Sequence, residues 1–124
     1  MAIRESGEDY LETILILHRK TGFVRSIEIA NELGYSKPSI SRAMGILKND
    51  GYISVEPGGQ ILLTDSGKAM AEQVYSKHLM LRGFLHEILG VSEENAERDA
   101  CRIEHILSEE TCTKFREFIE KYGK

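Results

Sequence analysis

Apolar residues recur at helical rather than strand spacing through most of the chain. Over 7–21, Leu11, Ile14, Leu15 and His18 fall at steps of three and four, which predicts a first helix. Ser6 stands where a cap is expected and Gly22 where the helix should stop. A second helix is expected over 26–33, with Ser26 as cap, Ile29, Ala30 and Leu33 inward, and Gly34 as terminator. A third is expected over 37–50, capped by Ser36, with Ile40, Ala43 and Leu47 inward. The pattern then changes period. In "YISVEPGGQILLT" two short β-prone runs flank Pro57-Gly58-Gly59, which predicts a hairpin. Helical spacing returns for a long helix of roughly 64–88 with Thr64 as cap, broken near Gly90. Two more are expected over about 93–107 and 109–122, capped by Ser92 and Ser108. The expected fold is mostly α with one small hairpin. It divides into 1–63 and 64–124, with the long helix joining the two halves.

Size and composition narrow the class. A chain of 124 residues with 41% hydrophobic content allows one domain or two small ones. A chain this short buries a modest fraction of its surface, so a dimer is an expected supplement. The apolar run Ile14-Leu15-Ile16-Leu17 is the longest, too short to span a bilayer. The opening "MAIRESGEDY" has no apolar signal stretch. A cytoplasmic protein with Cys101 and Cys112 as reduced thiols is the expectation. Net charge is −4, yet residues 18–48 hold six Lys/Arg against two acidic residues. A basic segment inside an acidic chain is compatible with a DNA footprint.

Helix, helix, tight turn, helix and hairpin, in that order, is the order of a winged helix-turn-helix. Ala30 is small where two helices would cross, and Gly34 falls in the turn, where positive φ is needed. In this fold the start of the third helix enters the major groove. The residues there are Ser36, Lys37, Pro38, Ser39, Ser41 and Arg42. Hydroxyls and amides at a helix start bind phosphate, Arg42 can reach a guanine edge, and Pro38 offers an apolar patch to a thymine methyl. The hairpin tip carries no Lys or Arg. Ordinary helix caps would explain any one of these residues; the joint pattern favours DNA.

The second half carries different chemistry. Cys101, Glu104 and His105 stand at i, i+3 and i+4, one face of a helix beside the apolar stripe of Ala96, Ala100, Ile103 and Leu107. Thiol, carboxylate and imidazole all ligate divalent transition metals. Asp9 and Glu12 on the first helix and His78 on the long helix are the further candidates. Each has a plainer reading: Asp9 in a capping box with Ser6, Glu12 as a solvated carboxylate, His78 as a structural histidine, and Cys101 as a small buried hydrophobe.

Three stretches, "EDYLETI" at 8–14, "ANELGYSKPSISRAM" at 30–44 and "CRIEHILS" at 101–108, together resemble the DtxR/MntR family of metal-dependent transcriptional repressors. The resemblance covers nearly the whole chain. It implies a winged DNA-binding domain followed by a helical dimerisation domain, with metal bound between them. By position it implies Asp9, Glu12, His78, Cys101, Glu104 and His105 as metal ligands. Asp9 resembles the manganese-sensing branch and Cys101 the iron-sensing branch. Arg82 and Glu97 fall where the iron branch has a glutamate and a histidine of a second site. A chain ending at Lys124 resembles the short manganese-type architecture without an SH3-like domain.

The resulting expectation is a non-enzymatic homodimeric repressor with Mn²⁺ or Fe²⁺ as co-repressor, one or two ions per chain. It would bind double-stranded operator DNA and control metal-uptake genes. The oxygen and nitrogen donors suit Mn²⁺ and Fe²⁺, and the thiolate shifts preference toward Fe²⁺, Co²⁺ or Zn²⁺. The alternative is a winged-helix regulator that senses a non-metal signal, with the Cys-Glu-His trio structural. A metal-dependent hydrolase needs a catalytic motif that the sequence lacks, and it leaves the DNA-reading half unexplained.

Overall fold

In the computed structural model, which describes residues 5–122, the order is α1 (Glu5–Thr21), α2 (Ser26–Leu33), α3 (Lys37–Asn49), β1 (Ile53–Val55), β2 (Ile61–Leu63), α4 (Asp65–Gly83), a π-helical turn (Phe84–Ile88), α5 (Glu93–Ile103) and α6 (Glu109–Tyr122). The chain forms two compact units, residues 1–72 and 73–124, with the division inside α4.

In the first unit α1, α2 and α3 pack around one core. Leu11, Ile14, Leu15 and Leu17 of α1 are buried with Val24, Ile29, Ala30, Ile40, Met44, Leu47, Ile53 and Ile61. Each such Leu or Ile contributes about 1.5–3 kcal/mol by leaving water. On α3 the inward positions are Ile40, Met44 and Leu47, at i, i+4 and i+7. Ala43, expected to face inward, is only half-buried, because the steps of four and three turn Met44 inward instead. Gly34 closes α2 at φ 73°, and its N–H reaches back to the Ala30 carbonyl at 2.8 Å. That left-handed cap is open to glycine at little cost. The hairpin pairs Ile53 with Leu63, Ser54 with Leu62 and Val55 with Ile61, antiparallel.

The serine and threonine caps divide into two groups. Ser36 accepts from the Ser39 amide, Ser92 from the Asn95 amide, Ser108 from the Thr111 amide and Thr64 from the Gly67 amide. Ser6 and Ser26 do not serve as expected. Helix α1 is already formed at Glu5, so Ser6 lies in its first turn. Arg25, in extended conformation, precedes α2, and its amide donates to Glu28 Oε1 at 2.7 Å. Ser26 is therefore the first helical residue rather than the cap. His18, expected among the inward residues of α1, is half-buried, and a ring nitrogen lies 2.7 Å from the Ile61 carbonyl oxygen.

Gly67, at the start of α4, is buried. A Cβ there would collide with the Tyr52 carbonyl. The same carbonyl accepts the Thr64 amide at 3.0 Å, so the hairpin meets the helix start backbone to backbone.

In the second unit, Val74, His78 and Leu81 of α4 are buried, as are Ala96 and Ala100 of α5, Glu104 just beyond it, and Cys112 of α6. The expected long helix over 64–88 is regular only to Gly83. It then widens by a π turn, with the Leu89 amide bonded to the Phe84 carbonyl at 3.1 Å. Gly90, at φ 83°, ends the run. Phe84 stacks edge-on against Phe115 at 4.9 Å and Phe118 at 5.9 Å. Helix α5 ends at Ile103, not near 107. Glu104 keeps helical dihedrals, at φ −61° and ψ −23°, and residues 104–106 form a turn.

Candidate functional site

The start of α3 is open along its whole expected reading face. Ser36, Lys37, Pro38, Ser39, Ser41 and Arg42 are all exposed, whereas Ile40 between them is fully buried. Pro38 fits the first turn because the amide it lacks has no partner within the helix. The Ser36 and Ser39 hydroxyls lie 3.0 Å apart, so the cap also orders two candidate phosphate donors.

The first-unit candidates for metal are Asp9 and Glu12, one turn apart on α1. Glu12 is buried, although its neighbours Leu11 and Ile14 are core residues; Asp9 is half-buried. A buried carboxylate on an apolar face requires compensation by charge or hydrogen bonding, so the plain solvated reading of Glu12 does not hold.

The second unit brings His78, Cys101, Glu104 and His105 into one cluster. His78 Nδ1 lies 3.0 Å from Glu104 Oε2 and 3.8 Å from Cys101 Sγ. His105 Nε2 lies 3.4 Å from Glu104 Oε1. The geometry follows from two helical steps: His78 stands on the buried face of α4, while Cys101 and Glu104 are one turn apart at the end of α5. Cys101 is exposed, contrary to the reading of it as a small buried hydrophobe, and Cys112 is the buried cysteine.

Glu97 joins this cluster, outside the expected ligand set. Its Oε2 lies 2.9 Å from His78 Nε2 and 3.7 Å from Cys101 Sγ. Its other oxygen faces Arg82, 3.6 Å away. The signal was present in the sequence, since Glu97 is four residues before Cys101 and shares its helix face. Arg82, likewise four residues after His78, brings a fixed positive charge to the same carboxylate.

Two observations test whether a divalent metal fits. One donor atom each from His78, Glu97 and Cys101 lie within 4.8 Å of one another. Glu104 has no exposed surface, and its Oε1 has no hydrogen-bond partner among the described residues. Leaving a buried carboxylate oxygen unsatisfied costs more than the ~1–3 kcal/mol of a neutral group if nothing compensates it. The imidazole, carboxylate and thiol of His78, Glu97 and Cys101 are the donor types of a transition-metal site. Without metal, the Cys101 sulfur and then the Glu104 and Glu97 carboxylates hold the His78 imidazolium. Its pKa is pushed up to about 11, against the opposing effect of burial.

Comparison with known proteins agrees with both halves of this description. Residues 3–60 match the family model of the iron dependent repressor N-terminal DNA binding domain. Residues 64–124 match that of the iron dependent repressor metal binding and dimerisation domain. The transcriptional regulator MntR of Escherichia coli O6:H1 is 38% identical over 120 residues, covering 97% of this chain and 77% of that protein. An HTH-type transcriptional regulator of Methanocaldococcus jannaschii is 34% identical, with 95% of each chain covered. Among solved structures, the IdeR of T. acidophilum aligns with a TM-score of 0.82 at 26% identity, over 100% of this chain and 56% of that one. A manganese-dependent transcriptional repressor in complex with manganese shares the fold, with a TM-score of 0.85 at 24% identity over 92% of this chain and 52% of that one. The chain thus spans about half the length of these solved structures. No helix among the described residues is long and apolar enough to cross a membrane. A DNA-binding domain followed by a metal-binding and dimerisation domain makes this chain a member of the DtxR/MntR family of metal-dependent transcriptional repressors.

Proposed function

We propose that this chain acts in the cytoplasm as a homodimeric, non-enzymatic repressor that binds double-stranded operator DNA when a divalent metal, Mn²⁺ or Fe²⁺, is bound. The proposed ligands are Asp9, Glu12, His78, Cys101, Glu104 and His105. Ser36, Lys37, Pro38, Ser39, Ser41 and Arg42 are the proposed DNA-reading residues, and metal-uptake genes are the proposed targets. The observation that carries the reading is the buried Glu104 carboxylate. One oxygen is bonded to His78; the other makes no hydrogen bond among the described residues and has His105 Nε2 3.4 Å away.

A bound cation would add positive charge among these carboxylates and the thiol, beside the His78 imidazole and Arg82 that already face them. The protein's own residues do the rest. Glu104 Oε2 fixes the orientation of the His78 ring, as a carboxylate does for a ligating histidine. Cys101 is the soft donor, and a site with several carboxylates beside it remains open to Mn²⁺ and Fe²⁺. Metal binding requires deprotonated ligands, so acid should weaken it. For the dimer, the supporting feature is a groove of about 680 Å³ in the second unit, lined in part by Leu79, Met80, Phe84, Ile88, Ile119 and Tyr122.

The test is duplex binding titrated with Mn²⁺, Fe²⁺, Co²⁺ and Zn²⁺ under reducing, anaerobic conditions. The proposal expects tight, sequence-selective binding only with metal. Equal binding in excess chelator would contradict it and favour a regulator that senses something other than metal.

A further inference from the structure

The hairpin of the first unit poses an electrostatic problem that its own residues do not solve. Its tip, Glu56-Pro57-Gly58-Gly59-Gln60, carries one negative charge and no positive one. A wing laid beside DNA needs a cation to meet the phosphates.

Arg25 supplies it. The backbone just before Arg25 is tied to the hairpin, since the Ile61 amide donates to the Val24 carbonyl at 2.8 Å. The Ile61 carbonyl in turn lies 2.7 Å from a ring nitrogen of His18, so β2 is held from both sides at this point. The Arg25 guanidinium lies over the Phe23 ring, 4.9 Å from its centroid. Its Nε lies 4.0 Å from where a Cβ on Gly59 would stand, which places the side chain alongside the hairpin tip. Arg25 is exposed, and no carboxylate among the described residues lies within ion-pair distance of it. The nearest candidate in sequence, Glu28, directs Oε1 to the Arg25 amide instead.

Stacking on an aromatic ring restrains a guanidinium while leaving its N–H edges free, and the guanidinium fork matches a phosphate. We propose that Arg25, ordered by Phe23 and packed beside Gly59, is the cation through which the wing engages the DNA backbone. This rests on the DNA-binding reading above and adds a contact outside the recognition helix. Arg25 carries no base readout in this role, so it should raise affinity for all sequences alike.

The experiment uses the full chain with saturating Mn²⁺ and a fluorescein-labelled random-sequence duplex, read by anisotropy across a salt series. Wild type, Arg25→Lys, Arg25→Gln, Lys37→Ala and the double variant Arg25→Gln/Gly58→Lys are compared. Gly58 is the chosen rescue position because a side chain there meets nothing within 4 Å and its φ is not positive. Arg25→Gln should weaken binding several-fold and make the slope of log K against log salt shallower by about one unit, the loss of one phosphate contact. Arg25→Lys should retain the slope, and Gly58→Lys should restore it to the Gln variant. If Arg25→Gln keeps the wild-type slope while Lys37→Ala flattens it, the Arg25 assignment is wrong and the DNA-binding reading survives. If Arg25→Lys loses the slope as fully as Arg25→Gln, charge is not what Arg25 contributes, and the assignment again fails. If wild type shows no salt-dependent binding, both readings fall.

Discussion

At the scale of single residues, the candidate metal cluster is governed by one histidine and the acceptors around it. The Cys101 sulfur and then Glu104 push the His78 pKa up from an ordinary 6.5 to about 11. A raised pKa means that the folded chain holds this proton more tightly than the unfolded chain. The resulting stability is complete below pH 6.5 and drains away as pH rises toward 11. The melting temperature of chelator-treated protein should therefore fall between about pH 7 and pH 10. His78→Gln should flatten that fall, and identical pH profiles for the two proteins would contradict the account. Cys101 allows a second prediction, because it is the one soft donor in the cluster. Wild type loaded with Co²⁺ should show thiolate-to-metal charge-transfer absorption. Cys101→Glu should abolish that band and move metal preference toward Mn²⁺. A band retained in Cys101→Glu would show that another sulfur binds the metal.

At the scale of elements, the fold depends on a few positions where backbone meets backbone. Gly67 sits against the Tyr52 carbonyl with no room for a methyl group. Gly67→Ala should cost at least ~1–3 kcal/mol, the usual penalty of overpacking, seen as a lower denaturation midpoint. Gly34→Ala meets no atom and bears only the strain of a positive φ, so its cost should be about 1 kcal/mol. A larger loss for Gly34→Ala than for Gly67→Ala would reverse this assignment. Helix α3 makes a separate prediction. Arg42→Ala should reduce selective binding by ~1–3 kcal/mol if Arg42 contacts a base edge.

Much of this level is legible in the sequence. The hairpin, the αL turn at Gly34 and the caps at Ser36, Thr64, Ser92 and Ser108 depend on local chemistry, and local chemistry is what a sequence displays. The misplaced features involve distant neighbours. Ser26 loses the cap position to Arg25, whose backbone is drawn toward the hairpin through Val24 and Ile61. Glu97 falls by resemblance at a second-site position, but its contact with His78 is not legible until α4 presents His78 to α5. The π turn at Phe84–Ile88 has no local signature beyond its flanking glycines; tertiary packing of Phe84 on α6 accompanies it.

At the scale of the whole molecule, the second unit leaves apolar surface uncovered. Leu79, Leu89, Phe118 and Tyr122 are among its exposed side chains. Leu81, in contrast, is fully buried within the protomer and serves its core. A two-fold dimer through this unit should give a dimeric mass by light scattering at micromolar protein, and Leu79→Glu should give a folded monomer. A monomeric wild type, with and without metal, would remove this part of the proposal.

The central claim is that metal held around Glu104 controls DNA binding, and the most direct measurement is fluorescence anisotropy on operator DNA as Mn²⁺ or Fe²⁺ is titrated. Wild type should change from weak to tight binding over a defined metal range. Glu104→Ala and His105→Ala should remain folded by circular dichroism and show no such transition. If both variants respond at the same metal concentrations as wild type, this cluster is not the sensor.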